Sequence, residues 1–323
     1  PPSSKGGTVM RTILVTSVGS AEAAAVCQSL RAHTLVGCDI YPQSWNVNAA
    51  AMELFFQAPP ATDAPAYLNA LRRAAEAYGL THILPLTDPE VDVLCAEKAA
   101  FAARGVTVCV PDAPAARLCR DKLRMAQVLQ EAELGRVIPT WTADAIPADA
   151  PYPLLLKPQR GRSSQAQVIV RTETELHSAL TLRDDYIIQP FLAGDIYCVD
   201  AVRDRFGNAA AVVRRELLRT SNGLGTTVEV LPLHPLGELA ERILARAGFV
   251  GAGNLEFICH EGAYSFLEVN PRFSGGVGFS GLAGYDMIAN NLRAHDGEPI
   301  QPADGVRAMI LAQRYEQRVT ELR

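Results

Sequence analysis

The sequence predicts an α/β amino-terminal domain on a parallel sheet, followed by a two-part α+β unit, and three observations carry that expectation. Short β-branched runs alternate with helical patterns from Arg11 to Val110. Pro111 and Pro114 then interrupt the chain. Beyond them the strands lengthen and end in a hairpin turning at His260, Glu261 and Gly262. A chain of 323 residues exceeds the usual reach of one hydrophobic core, and 48% hydrophobic content suffices for more than one.

In the first domain, 10–112, the pattern gives strands over 12–16, 34–39, 83–86 and 106–110, with helices over 21–31, 66–78 and 90–103. Loops 17–20, 39–42 and 87–90 then follow the carboxyl ends of strands, where open α/β sheets bind ligands. Asp39 invites a ribose-binding, Rossmann-like reading. The 17–20 turn lacks the three glycines that admit a pyrophosphate, so dinucleotide binding is set aside. The second unit, 113–190, has a helix over 115–133 broken near Arg120 and Asp121, a Pro-rich connector, strands over 154–157 and 166–171, and a helix over 173–183. It reads as a small lid. The third, 191–323, carries strands over 196–203 and 209–218, a helix over 236–247 and the hairpin. Residues 1–9 lack the apolar core of a signal peptide and read as a linker before Met10.

A net charge of -5 offers no broad basic surface, which argues against nucleic acid or an acidic membrane as partner. No apolar run approaches the roughly 20 residues that span a bilayer, so a cytoplasmic protein is expected. Seven cysteines without a CxxC pair read as reduced thiols, and six histidines without ligand spacing read as structural.

The chemistry concentrates in the segment 266–273. Glu268 and Asn270 are two residues apart and leave the same face of a strand. Folding of the hairpin brings Glu256 beside Glu268. Two carboxylates and an amide oxygen suit Mg²⁺, a hard cation that keeps room for phosphates and water. Arg272 lies in reach of the same anion. Upstream, Lys157 ends an apolar strand before Pro158 and the loop from Gly161 through Ser163 and Ser164, whose backbone N–H groups and hydroxyls suit a phosphate. Lys122 follows Asp121 on the broken helix. Gly276 to Gly281 matches GxGxxG literally but comes too late for a dinucleotide domain and reads as a flexible turn. Arg215, on the strand before the 219–227 loop, is the candidate for a substrate carboxylate.

In this order the pieces resemble the ATP-grasp ligases, and within them a single ATP-using half of the large subunit of carbamoyl phosphate synthetase. The resemblance implies a pre-ATP-grasp domain followed by an ATP-grasp domain. It also implies ATP phosphates on Lys122 and Lys157 under a lid formed by Gly161, Ser163 and Ser164. Gln189, Pro190, Phe191, Leu192 and Asp195 would lie around the adenosine. Glu256, Glu268 and Asn270 would hold Mg²⁺, or Mn²⁺ in its place, and Arg272 would steady the transferred phosphoryl group. Two departures stand out: the loop is Ser-rich where relatives are Gly-rich, and Ile196 stands where glutamate is common, with Asp195 beside it as a substitute. The implied activity is ATP-dependent joining of a small carboxylic acid or amino acid to an amine through an acylphosphate. A kinase releasing a phosphorylated product, or a regulator that binds nucleotide without turnover, are the alternatives. A homodimer is the assembly considered.

Overall fold

The structure, a computed structural model, describes residues 10–161 and 165–313, in two compact units divided after Val110. The linker expected at 1–9 lies outside the described residues.

The first unit runs β1 (Thr12–Val15), α1 (Ala23–Ser29), β2 (Thr34–Asp39), β3 (Leu54–Gln57), α2 (Ala64–Tyr78), β4 (His82–Leu84), α3 (Asp88–Ala102) and β5 (Thr107–Val108). All strands pair in parallel, in the order β3-β2-β1-β4-β5. Ile13, Leu14, Ile83 and Leu84 are buried in the sheet, and α2 covers it with Tyr67, Leu68 and Leu71. Glu90 closes a capping box with Thr87 at the start of α3 and accepts Ser17 Oγ at 2.8 Å, tying two of the crevice loops together. Asp39 spends its carboxylate on the backbone N–H groups of Gly19 (2.9 Å) and Tyr41 (3.0 Å). That is a loop-holding role.

In the second unit, α4 (Ala113–Arg120) and α5 (Lys122–Glu131) are separated at Asp121, whose side chain caps α5 through Arg124 N. The chain continues through β6 (Arg136–Val137), β7 (Leu154–Pro158), β8 (Val168–Val170), α6 (Glu173–Leu180) and β9 (Tyr186–Pro190). The strands β8-β7-β9 form an antiparallel sheet. Leu154, Leu156 and Ile188 pack one of its faces against Leu176 and Ala179 of α6. By strand alternation Lys157 and Gln189 leave from the other face. Then come β10 (Asp195–Arg203), β11 (Ala209–Arg219), β12 (Gly225–Val230), α7 (Pro235–Arg246), β13 (Gly251–His260), β14 (Ala263–Asn270), α8 (Val277–Leu282), α9 (Met287–His295) and β15 (Met309–Ala312). A seven-stranded sheet in the order β15-β12-β11-β10-β13-β14-β6 buries Tyr197, Val199, Val213, Leu255, Phe257 and Val269 against α7.

The GxGxxG stretch, expected as a flexible turn, is corrected here. Residues from Val277 form the short helix α8, because Val277 and Phe279 bury their side chains and Ser280 Oγ donates to Asp200 at 2.6 Å.

Candidate active site

The face of the seven-stranded sheet opposite α7 carries a row of polar side chains set by strand register. Arg214 of β11 lies opposite Cys198 of β10, which lies opposite Glu256 of β13, which lies opposite Glu268 of β14. One step along the same face, Asp200, Asn254 and Asn270 form a second row. The hairpin thus places the two carboxylates and the carboxamide together, with Asn270 Nδ2 donating to Glu268 Oε1 at 3.2 Å.

A β-bulge makes this possible. Phe257 pairs with Phe266 while Glu256 pairs with Glu268, so Leu267 is the extra residue. A bulge reverses the alternation of faces. Phe266 therefore enters the core, in an edge-on contact with Phe257, while Glu268 emerges on the polar face.

The facing three-stranded sheet and the α4–α5 break bring in the cations. Lys157 is buried, and its Nζ lies 3.5 Å from the carbonyl of the bulged Leu267. Lys122, at the first turn of α5, places Nζ 3.3 Å from Glu268 Oε2 and donates to Gly161 O at 3.0 Å. Its position is fixed by Asp121, which accepts from Gln159 Nε2 (2.8 Å) and pairs with Arg160 (3.2 Å) just beyond β7. A third cation of the site stands on Glu256: Arg219 Nη2 reaches Glu256 Oε2 at 2.8 Å, and its Nη1 reaches Glu216 Oε2 at 2.9 Å.

Burial and neighbouring charge oppose one another throughout. Burial alone would raise the Glu268 carboxyl, but Lys122 and then Lys157 outweigh it and hold the group down at about 2. Burial pushes Lys157 down to about 8, against the pull of Glu268. Glu256 is raised by burial, with Arg219 opposing and Glu268 adding. Among the described residues no group of three or more His, Cys, Asp and Glu side chains is placed to hold a metal. The donor set here is two carboxylates and one amide.

Residues 183–319 match the protein family described as "ATP-grasp in the biosynthetic pathway with Ter operon". Biotin carboxylase of Haemophilus influenzae is 25% identical over 276 residues, which are 75% of this chain and 60% of that protein. The carbamoyl phosphate synthase large chain of Agathobacter rectalis is 24% identical over 205 residues, 59% of this chain and 19% of the relative. The solved complex of Campylobacter jejuni biotin carboxylase with β-γ-ATP superposes with a TM-score of 0.76 at 20% identity, over 93% of this chain and 74% of that one. Over residues 183–319 the chain is similar to the ATP-grasp family. It spans only 60% of the length of the Haemophilus biotin carboxylase.

The other expected residues divide. Gln189 is buried on the same face as Lys157; its Nε2 donates to Thr140 Oγ1 at 2.7 Å and its Oε1 has no hydrogen-bond partner. Pro190 ends β9, and Phe191 N is committed to Pro153 O at 2.9 Å, so that N–H is not offered to a ligand. Leu192 follows in the loop before β10. Gly161 presents its carbonyl to Lys122 and Arg120. Ser163 and Ser164 lie outside the described residues. Arg272, two residues past Asn270, donates from Nη1 to Phe273 O at 2.9 Å.

Two expectations need correction by strand parity. Arg215 pairs in register with Tyr197, a core-facing residue, and joins Glu229 (2.7 Å) and Asp195 (3.8 Å). It therefore leaves the sheet on the face away from Glu256 and Glu268. Asp195 is on that same far face and is largely exposed, so it does not stand in for the missing glutamate; Ile196 is the residue turned to the polar face. Arg219 is the arginine that reaches the carboxylates, and it was missed because register shifts between Glu216, Leu218 and Arg219 return residue 219 to the face of Glu216. Periodicity carried no signal for that shift.

Proposed function

We propose that this chain is an ATP-dependent ligase that activates a small carboxylic acid or amino acid as its acylphosphate and joins it to an amine, releasing ADP and phosphate. The observation that carries this reading is the meeting of Glu256, Glu268 and Asn270 on one sheet with Lys157 of the facing sheet and Lys122 of α5. The groups present fit both absent partners. Oxygen donors from two carboxylates and an amide suit Mg²⁺ or Mn²⁺ with further ligands from phosphate and water, and the buried, unpartnered Gln189 Oε1 suits a donor such as an exocyclic amino group of adenine. The metal would supply charge that offsets the anionic oxygens of the phosphoryl group.

The chain's own residues do the rest by placement. Glu256, Glu268 and Asn270 would hold the metal, while Lys122 and Lys157 bind the phosphates and Arg272 takes up charge on the group in transfer. An acid carboxylate oxygen forms a bond to the γ-phosphorus as the bond to the bridging oxygen of ADP breaks. The amine nitrogen then bonds to the acyl carbon, phosphate leaves, and the amine proton passes to solvent. No side-chain base is required, because alignment and charge are the demands of phosphoryl transfer. The names of the relatives support an acid-activating chemistry, carbamoyl phosphate being itself an acylphosphate. The absence of a strongly basic surface suits small substrates over nucleic acid, and among the described residues no helix is long and apolar enough to cross a membrane.

The deciding experiment incubates the chain with MgATP, hydroxylamine and a panel of small acids. Acid-dependent ADP release with hydroxamate formation is the expected result. ADP release with a stable phosphorylated product and no hydroxamate would make it a kinase, and binding of MgATP without ADP release would leave a regulator.

A second expectation concerns Lys157 alone. With its ammonium held near pKa 8 in the free chain, about half of the molecules are neutral there at pH 8, and phosphate beside it restores the charge. ADP binding at pH 8 should take up about half a proton, read by calorimetry in buffers of different ionisation enthalpy. Lys157→Arg should abolish the uptake, because a guanidinium stays charged; an unchanged uptake in that variant would remove Lys157 from the phosphate site.

A further inference from the structure

We propose that Arg219 is the resident cation of the candidate metal site: anchored by Glu216, it neutralises Glu256 until a divalent cation takes that carboxylate, and so sets the affinity of the site for metal. The proposal rests on the reading of Glu256 as a metal ligand.

The two carboxylates of the hairpin do not share one counter-ion. Glu268 has Lys122 at 3.3 Å, on the element that also meets the phosphate loop. Glu256 has Arg219 at 2.8 Å, from a different strand. Side by side in register and both largely buried, Glu256 and Glu268 would repel strongly without these cations.

What separates Arg219 from Lys122 is its second partner. Glu216 forms an ion pair with the other guanidinium nitrogen at 2.9 Å, without hydrogen-bond geometry, and is itself fixed, with a side chain only 5% exposed and Oε1 accepting Cys198 Sγ at 3.1 Å. The backbone leaves room for it: a Cβ on Gly225 would lie 2.5 Å from Glu216 Oε1, so any larger residue there would push the Glu216 carboxylate from this position. Glu216 stands on β11, two strands away from Glu256, and belongs to no expected donor set. It keeps Arg219 paired when Glu256 is given up.

The exchange follows from charge alone. A divalent cation and a guanidinium cannot both sit against one buried carboxylate without strong repulsion. Arg219 holds Oε2 of Glu256, and a divalent cation arriving at the same carboxylate opposes that guanidinium; metal entry therefore weakens the Arg219–Glu256 contact, and the Glu216 contact keeps the guanidinium from being left as an uncompensated charge. The site is thus balanced, tighter for metal if Arg219 is weakened and looser if Arg219 leans on Glu256 alone.

This predicts opposite signs for two variants of the full chain. Mn²⁺ binding in the presence of ADP is measured by electron paramagnetic resonance, with circular dichroism as the check on folding. Arg219→Met should bind Mn²⁺ at least tenfold more tightly than wild type. Glu216→Gln, which leaves Arg219 only Glu256 as a charged partner, should bind it several-fold more weakly. A merely structural network would shift both variants the same way or neither, and either pattern overturns the proposal; should Arg219→Met not fold, an unchanged or raised affinity in Glu216→Gln overturns it alone. Wild-type protein that binds no Mn²⁺ with ADP would bring down the metal reading itself, and this inference with it.

Discussion

Glu268→Gln is expected to lower acid-dependent ADP release by about 10³-fold, the scale seen when one preorganised electrostatic partner of a transition state is removed, with far-ultraviolet circular dichroism unchanged. The substitution is close to isosteric, and Asn270 Nδ2 can still donate to the amide oxygen. What is lost is the charge opposite Lys122 and Lys157, and with it one of only two carboxylates among the candidate metal donors. The fold should tolerate this because Lys157, already pushed down to about 8, can shed its proton rather than remain an uncompensated buried cation. Mn²⁺ binding with ADP should fall in parallel. A variant that turns over at the wild-type rate would sink the assignment of this hairpin as the catalytic centre, whatever it did to stability.

The site was legible in the sequence where its geometry is local. Glu256 and Glu268 lie on two strands joined by a short turn around Glu261 and Gly262, so the hairpin brings their strands side by side, although a regular register would pair Glu256 with Leu267 and the bulge is what sets Glu268 opposite it. The parallel sheet of the first unit was equally readable, since its strands and helices alternate with clear breaks. Illegible were features in which one extra residue changes a face. The bulge at Leu267 and the register shifts before Arg219 have no compositional mark; simple alternation puts Arg215 and Arg219 on one face, and the shifts carry Arg219 alone to the other. Edge strands were missed for a different reason. Leu54–Gln57 is a four-residue edge with a half-exposed pattern, and Met309–Ala312 gains its identity only by pairing with β12 far back in the chain. Gln189 and Thr140 lie 49 residues apart, so their contact follows from the tertiary fold.

Breaking the buried ion pair behind the site should cost more stability than any change within it. Arg214 and Asp200 are both almost completely buried, and they bind each other as well as Ser280, while Arg214 Nη2 also reaches Ser274 Oγ at 3.1 Å. They thereby fasten the segment that follows Arg272 to the sheet that carries Glu256. Arg214→Met leaves the Asp200 carboxylate unpaired in the interior, and the unfolding transition of the carboxyl-terminal unit in urea should lose about 3–5 kcal/mol. The double variant Arg214→Met, Asp200→Leu removes both charges and should regain most of that loss, because the penalty arises from the orphaned charge and not from the missing attraction. A single variant within about 1 kcal/mol of wild type, the scale of an exposed pair, would show that water reaches Asp200 and that the pair is not a buried fastening. If the double variant recovers stability yet binds ADP with Mn²⁺ more weakly than wild type, the fastening has a second role. Ser274 and Ser280 would then have lost their charged anchor, and the backbone that positions Arg272 would be free to shift while the sheet beneath stays whole.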